Sequence, residues 1–181
     1  EDAFGNWRVL RLAAYERDFS QVSGMLAGGD RTSTLIDAAK QFAWTAATES
    51  QNPPHSVETW ERIAGLWQQA IARLEQVPVD DVGYNEAQRM LAEYQNNLGI
   101  VQEQQTREAR SQQAFASAQT QNTNLGGRVK DMDAAVYGSA LQSIVNDLDQ
   151  VESGTTVYDA AQQLKQAVQL MLEIRDQNGC G

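Results

Sequence analysis

Few side chains in this sequence have the type and spacing that chemistry asks for. His55 is the only histidine and lies in "NPPHS". A zinc centre draws on several converging His, Cys or carboxylate ligands, and a Ser-His-Asp triad needs a hydroxyl and a carboxylate aligned on one imidazole. No second histidine and no nearby cysteine stands by His55, so it reads as part of a surface turn. Aspartates pair at Asp80 with Asp81, Asp131 with Asp133 and Asp147 with Asp149. The first pair falls in a turn, where Asp bonds to nearby backbone, and the second opens a helix, where negative charge meets the positive end of the dipole. No Asp-x-Asp-x-Asp-Gly loop is present, and "DQNGCG" is too short to complete a calcium loop. The pairs Gly28-Gly29 and Gly126-Gly127 follow helices and lack the Lys-Ser/Thr that grips phosphate. We therefore expect no catalytic, metal-binding or cofactor-binding residue, no cofactor and no enzyme activity.

The single cysteine, Cys180, excludes an internal disulfide framework; it either pairs between chains or has no role beyond its place near the end of the sequence, and the second is the expectation. The net charge of −10 argues against nucleic acid and against an anionic membrane surface, since both repel an acidic face that carries no basic stripe. The densest basic neighbourhood, Arg107, Arg110, Arg128 and Lys130, is interleaved with Glu103, Glu108, Asp131 and Asp133. No stretch approaches the roughly 20 uninterrupted apolar residues of a spanning helix. The chain begins with Glu1. From that we expect a removed leader or a start inside a longer protein, the first of which would go with an extracytoplasmic or membrane-tethered location.

The elements that would position any site are helical. Apolar residues recur at spacings of three and four, strand-like alternation is missing, and proline occurs only at Pro53, Pro54 and Pro78. The expected fold is all-α, with about six helices over residues 3–26, 33–50, 56–76, 83–124, 129–151 and 156–177. Glycine and proline punctuation, with Ser56 as an N-cap, sets these limits. The fourth helix meets no breaker but Gly99 and would run roughly 60 Å.

The sequence also repeats itself. "LEQVPVDDVGYNEAQ" at residues 74–88 returns as "LDQVESGTTVYDAAQ" at 148–162. At a shift of 74 residues Ile71, Leu74, Val77, Tyr84 and Ala87 match Val145, Leu148, Val151, Tyr158 and Ala161. These are the residues a helical hairpin has to bury. At a shift of 73, Phe42 and Ala43 match Phe115 and Ala116, which extends the repeat to a third helix. Between the copies, "QEQQTREARSQQ" is polar on all sides, as in a helix that bridges two packed bodies or crosses solvent. The expectation is thus an elongated protein of two related antiparallel helical units, residues 1–107 and 108–181, joined through one long helix.

Trp60, Trp67, Ala70, Ile71, Leu74, Val77, Pro78, Tyr84, Ala87 and Tyr94 resemble a tetratricopeptide-like helical repeat found in many cyanobacterial proteins, mostly of unassigned role, where it often accompanies membrane anchors or other domains. The resemblance spans about residues 33–101 and, more weakly, 110–175, where both tryptophans and the proline are missing. Its period of 74 departs from the roughly 34 of a tetratricopeptide array. The resemblance implies an interaction-type helical array and no chemistry.

Aromatic placement then suggests surfaces. Trp60 and Trp67 share a stripe with Ile63, Ile71 and Leu74 and are expected in the core. Trp44 points away from the apolar face of its helix, toward Asp37, Lys40 and Thr48, as a partner anchor would. Packing against the first or fourth helix is the competing account. The first helix is apolar on two faces, with Val9, Leu10 and Ala13 opposite the Trp7, Tyr15, Phe19 stripe, so something has to cover the second face. The expected function is a protein-interaction or scaffold module binding through Trp44, Val9, Leu10 and Ala13. The alternative is a self-assembling structural subunit, a homo-oligomer or filament, including one of the cell envelope.

Overall fold

The computed structural model describes residues 31–178, apart from the side chains of Asp131 and Asn178. Five α-helices and no strand occur among the described residues: α1 (Arg31–Glu49), α2 (Val57–Leu74), α3 (Tyr84–Gly126), α4 (Ala134–Leu148) and α5 (Tyr158–Asn178). The fold is all-α. The helix expected over residues 3–26 lies outside the described residues. Among the described residues no helix is long and apolar enough to cross a membrane.

Two compact units divide the chain, one of residues up to 53 with 57–105, the other of 54–56 with 106 onward. The first buries Ile36, Ala39, Ala43, Ala46 and Ala47 of α1 against Trp60, Ile63, Trp67 and Leu74 of α2 and Tyr94 and Val101 of α3. The alanine face of α1 explains why α1 and α2 lie so close, because a methyl side chain keeps neighbouring backbones least apart. The Trp67 and Tyr94 rings meet at 5.2 Å and 59°, a tilted aromatic pair. The second unit buries Ala114, Ala118 and Leu125 of α3 with Leu141, Ile144, Val145 and Leu148 of α4 and Ala161 and Val168 of α5. No tryptophan is available to it, and the fully buried apolar side chains of this cluster are aliphatic.

The α2–α3 and α4–α5 turns are built alike. Backbone amides of Glu75, Gln76 and Val77 donate to Ile71, Arg73 and Leu74, and those of Asp149, Gln150 and Val151 donate to Val145, Asp147 and Leu148. Further on, Tyr84 donates to Asp81 and Ala87 to Gly83, while Tyr158 donates to Thr155 and Ala161 to Val157. The next helix then opens on a tyrosine in both places. The middles differ. The Asp81 amide donates to Pro78 in the first turn, whereas in the second the Thr155 hydroxyl donates to the Glu152 carbonyl and Gly154 takes φ 79°. Only glycine adopts that left-handed angle without strain.

Two expectations shift in detail. The helix placed at 129–151 begins at Ala134, after a 3-10 turn over Val129–Asp131, because the Asp133 side chain caps it by accepting from the Val136 amide at 2.9 Å. The pairing of Phe42-Ala43 with Phe115-Ala116 fails in its second half, since Ala43 is buried and Ala116 is exposed. Burial at Ile36, Ala39 and Ala46 instead recurs 72 residues on, at Glu108, Ser111 and Ala118. At about 100° per residue, one position of offset is enough to turn Ala116 outward.

Gly83 shows how tightly α1 sits on the first turn. A Cβ there would lie 2.7 Å from Thr32 Cγ2 and 3.3 Å from Ile36 Cδ1. Both neighbours are buried. Gly83→Ala is expected to lower stability by about 1–2 kcal/mol through overpacking, read as a reduced urea midpoint with unchanged slope.

Candidate functional site

Four of the six carboxylates that pair in sequence are held by structural work. Asp81 Oδ1 accepts from the Gly83 amide at 2.8 Å, and Asp133 caps α4. Asp147 accepts from Gln121 Nε2 at 2.6 Å, and Asp149 pairs with Lys165. His55 is half-buried in the loop between α1 and α2. Gly126 closes α3, and the Arg128 amide donates back to the Leu125 carbonyl. Among the described residues no group of three or more His, Cys, Asp and Glu is placed to hold a metal ion.

Trp44 is half-buried and packs against the first unit's core, so its indole does not stand free on the polar face that its helical angle indicates. A ring of that size reaches back over the edge of the alanine face. Trp44→Ala is expected to cost about 2 kcal/mol, less than a fully buried tryptophan, as measured by denaturant unfolding. Val9, Leu10 and Ala13, the other expected binding residues, lie outside the described residues.

The site that residue types did not reveal is in the second unit. Within the stretch read as polar on all sides, Glu108 is 2% exposed and Ser111 is fully buried. The Glu108 carboxyl group accepts from the Thr156 amide at 3.0 Å, from the Thr156 hydroxyl, and from Gln112 Nε2 at 2.9 Å. Ser111 Oγ accepts from the Glu152 amide at 3.1 Å. Arg107 donates to the Glu152 carboxylate at 2.9 Å and to the Ser153 carbonyl at 2.8 Å. Together these side chains grip the α4–α5 turn from α3. The first turn is held differently, by Thr32 and Ile36 against Gly83 and by the Lys40–Glu86 ion pair at 3.1 Å.

Beside this latch an open cleft of about 360 Å³ is lined by Arg110, Gln113, Ser117, Asp147 and Gln150 among others. Its groups are amides, one guanidinium, carboxylates and the Ser117 hydroxyl, which accepts from Gln121 Nε2 at 3.3 Å. Large apolar side chains stand exposed elsewhere: Val79 and Val82 in the first turn, Val136 on α4, and Leu170, Met171 and Ile174 on α5. Compared with known proteins, the chain matches no family model, no curated protein and no solved structure.

Proposed function

We propose that this chain is a non-enzymatic helical-repeat module that binds protein partners or serves as their scaffold. Its units are related copies of one antiparallel helical repeat sharing α3, with a sixth helix over about residues 3–26. The observation that carries this reading is the agreement of the two turns, which share helix ends, buried positions and five backbone hydrogen bonds at a constant offset. Repeats of this kind hold a common core and leave their outer faces free to vary, which suits them to recognition. The aspartates supporting turns and caps agree with a frame rather than a reaction site. Val9, Leu10 and Ala13, with the exposed edge of the half-buried Trp44, are the partner contacts this reading places on the N-terminal unit.

Absolute mass by light scattering after size exclusion, over a wide concentration range, tests it. A monomer throughout is expected, and Leu10→Glu is expected to leave that mass unchanged. A discrete oligomer or a growing polymer would replace this reading with self-assembly.

A further inference from the structure

We propose that the outer face of α5 is a docking site for an amphipathic helix whose apolar stripe is flanked by lysine or arginine. This deepens the reading of the chain as an interaction module and rests on it. α5 turns Ala161 and Val168 into the core, with Leu164 and Leu172 packed against it. A second set, Ala160, Gln163, Ala167, Leu170 and Ile174, is exposed and follows a three-four spacing. At about 100° per residue these five fall within roughly 80° of one another, well away from the core face. Leu170 is 56% exposed, Met171 42% and Ile174 50%. Tyr137 donates to Met171 Sδ at 3.9 Å, which ties this edge of the stripe to the start of α4, where Val136 is also exposed.

Folding does not call for apolar side chains at these places. The helix that follows the first turn in the same register carries Glu86, Arg89, Glu93 and Asn96 where α5 has Ala160, Gln163, Ala167 and Leu170, and those four are exposed too. Only Ile100 keeps an apolar counterpart, at Ile174. At three equally exposed positions the first unit thus carries Glu86, Glu93 and Asn96 where α5 carries Ala160, Ala167 and Leu170. Seams at this spacing are read by a helix, through its own i, i+3, i+4 and i+7 anchors.

Charge selects which helix. The side of the stripe away from α4 carries Asp159 and Glu173. The two basic residues of α5 are already engaged, Lys165 with Asp149 and Arg175 with Asp176. A second copy of this chain would bring the same acidic rim, on a molecule of net charge −10, against itself. A helix with basic flanks meets the rim with opposite charge.

The probe is a fluorescently labelled peptide of about 20 residues, long enough to cover α5, with leucine at the stripe positions and lysine beside them. Its partner version carries glutamate in place of lysine. Anisotropy titration against the full chain is expected to show the lysine peptide binding at least about tenfold more tightly than the glutamate peptide. Leu170→Asn combined with Ile174→Asn is expected to weaken it at least about tenfold while the circular dichroism melt stays in place. Equal binding to that variant would overturn the proposal, because attraction to an acidic surface would then explain the capture. Light scattering on the same samples separates the remaining cases. A monomer that captures no peptide removes the α5 site and leaves the module reading standing. Self-association that the double substitution dissolves overturns the proposal in favour of a second copy.

Discussion

Trp67→Ala is expected to destabilise the protein by about 3–5 kcal/mol, the largest loss any single truncation in the first unit should cause. Trp67 is fully buried in the middle of α2, with Ile63, Ala70, Ile71 and Leu74 sharing its helix face and the Tyr94 ring 5.2 Å away. Removing the indole forfeits its transfer free energy and opens a cavity that α1 cannot fill. The α1 residues buried in the same core, Ala39, Ala43 and Ala46, have only methyl side chains and none long enough to swing in. A loss of this size is a large part of the roughly 5–15 kcal/mol that a domain commonly has. Urea unfolding followed by far-UV circular dichroism would report it, and Trp67→Phe should recover about half by keeping an aromatic partner for Tyr94. A loss under about 1 kcal/mol would mean that the first unit is not organised around this ring.

The tryptophan core could be foreseen because Trp60, Trp67, Ile71 and Leu74 combine large apolar groups with helical spacing, and few surfaces expose that combination. The turns could be foreseen for a related reason. Leu74, Val77, Tyr84 and Ala87 return in order at a fixed offset, and only a shared geometry needs those sizes in that order. Trp44 shows where angle alone falls short. A helical wheel gives the direction of Cβ, not the reach of a side chain with two rings, and Trp44 lies back on the core. The expected start of the helix at Val129 missed the cap because Asp131 and Asp133 look alike in sequence, and only the backbone decides which one accepts from an amide. The outer stripe of α5 escaped notice because Leu170, Met171 and Ile174 look like core residues until the opposite face is seen to be filled by Ala161 and Val168.

Glu108 is the hardest residue to foresee and the source of the second large effect. A glutamate among Gln, Arg and Ser reads as solvated surface, since carboxylates are rarely buried unless their bonds are satisfied. Its burial is bearable because the Thr156 amide and hydroxyl and Gln112 Nε2 all donate to it. Glu108→Ala is expected to cost about 3 kcal/mol, from stranded donors together with the space the side chain leaves. The local sign would be faster hydrogen exchange at the Thr156 amide, which loses its acceptor. The first unit suggests how to separate the bond from the packing. There Ile36 lies against the turn and Val82 stands where the second turn has Thr156. Glu108→Ile combined with Thr156→Val removes the buried acceptor and an exposed hydroxyl donor together, and the isoleucine refills the space that alanine leaves empty. The double variant is therefore expected to be more stable than Glu108→Ala by about 1–2 kcal/mol in urea unfolding. If it is no more stable than Glu108→Ala, the remaining donors, the Thr156 amide and Gln112, carry the dependence on Glu108, and the latch cannot be exchanged for the apolar contact that holds the first turn.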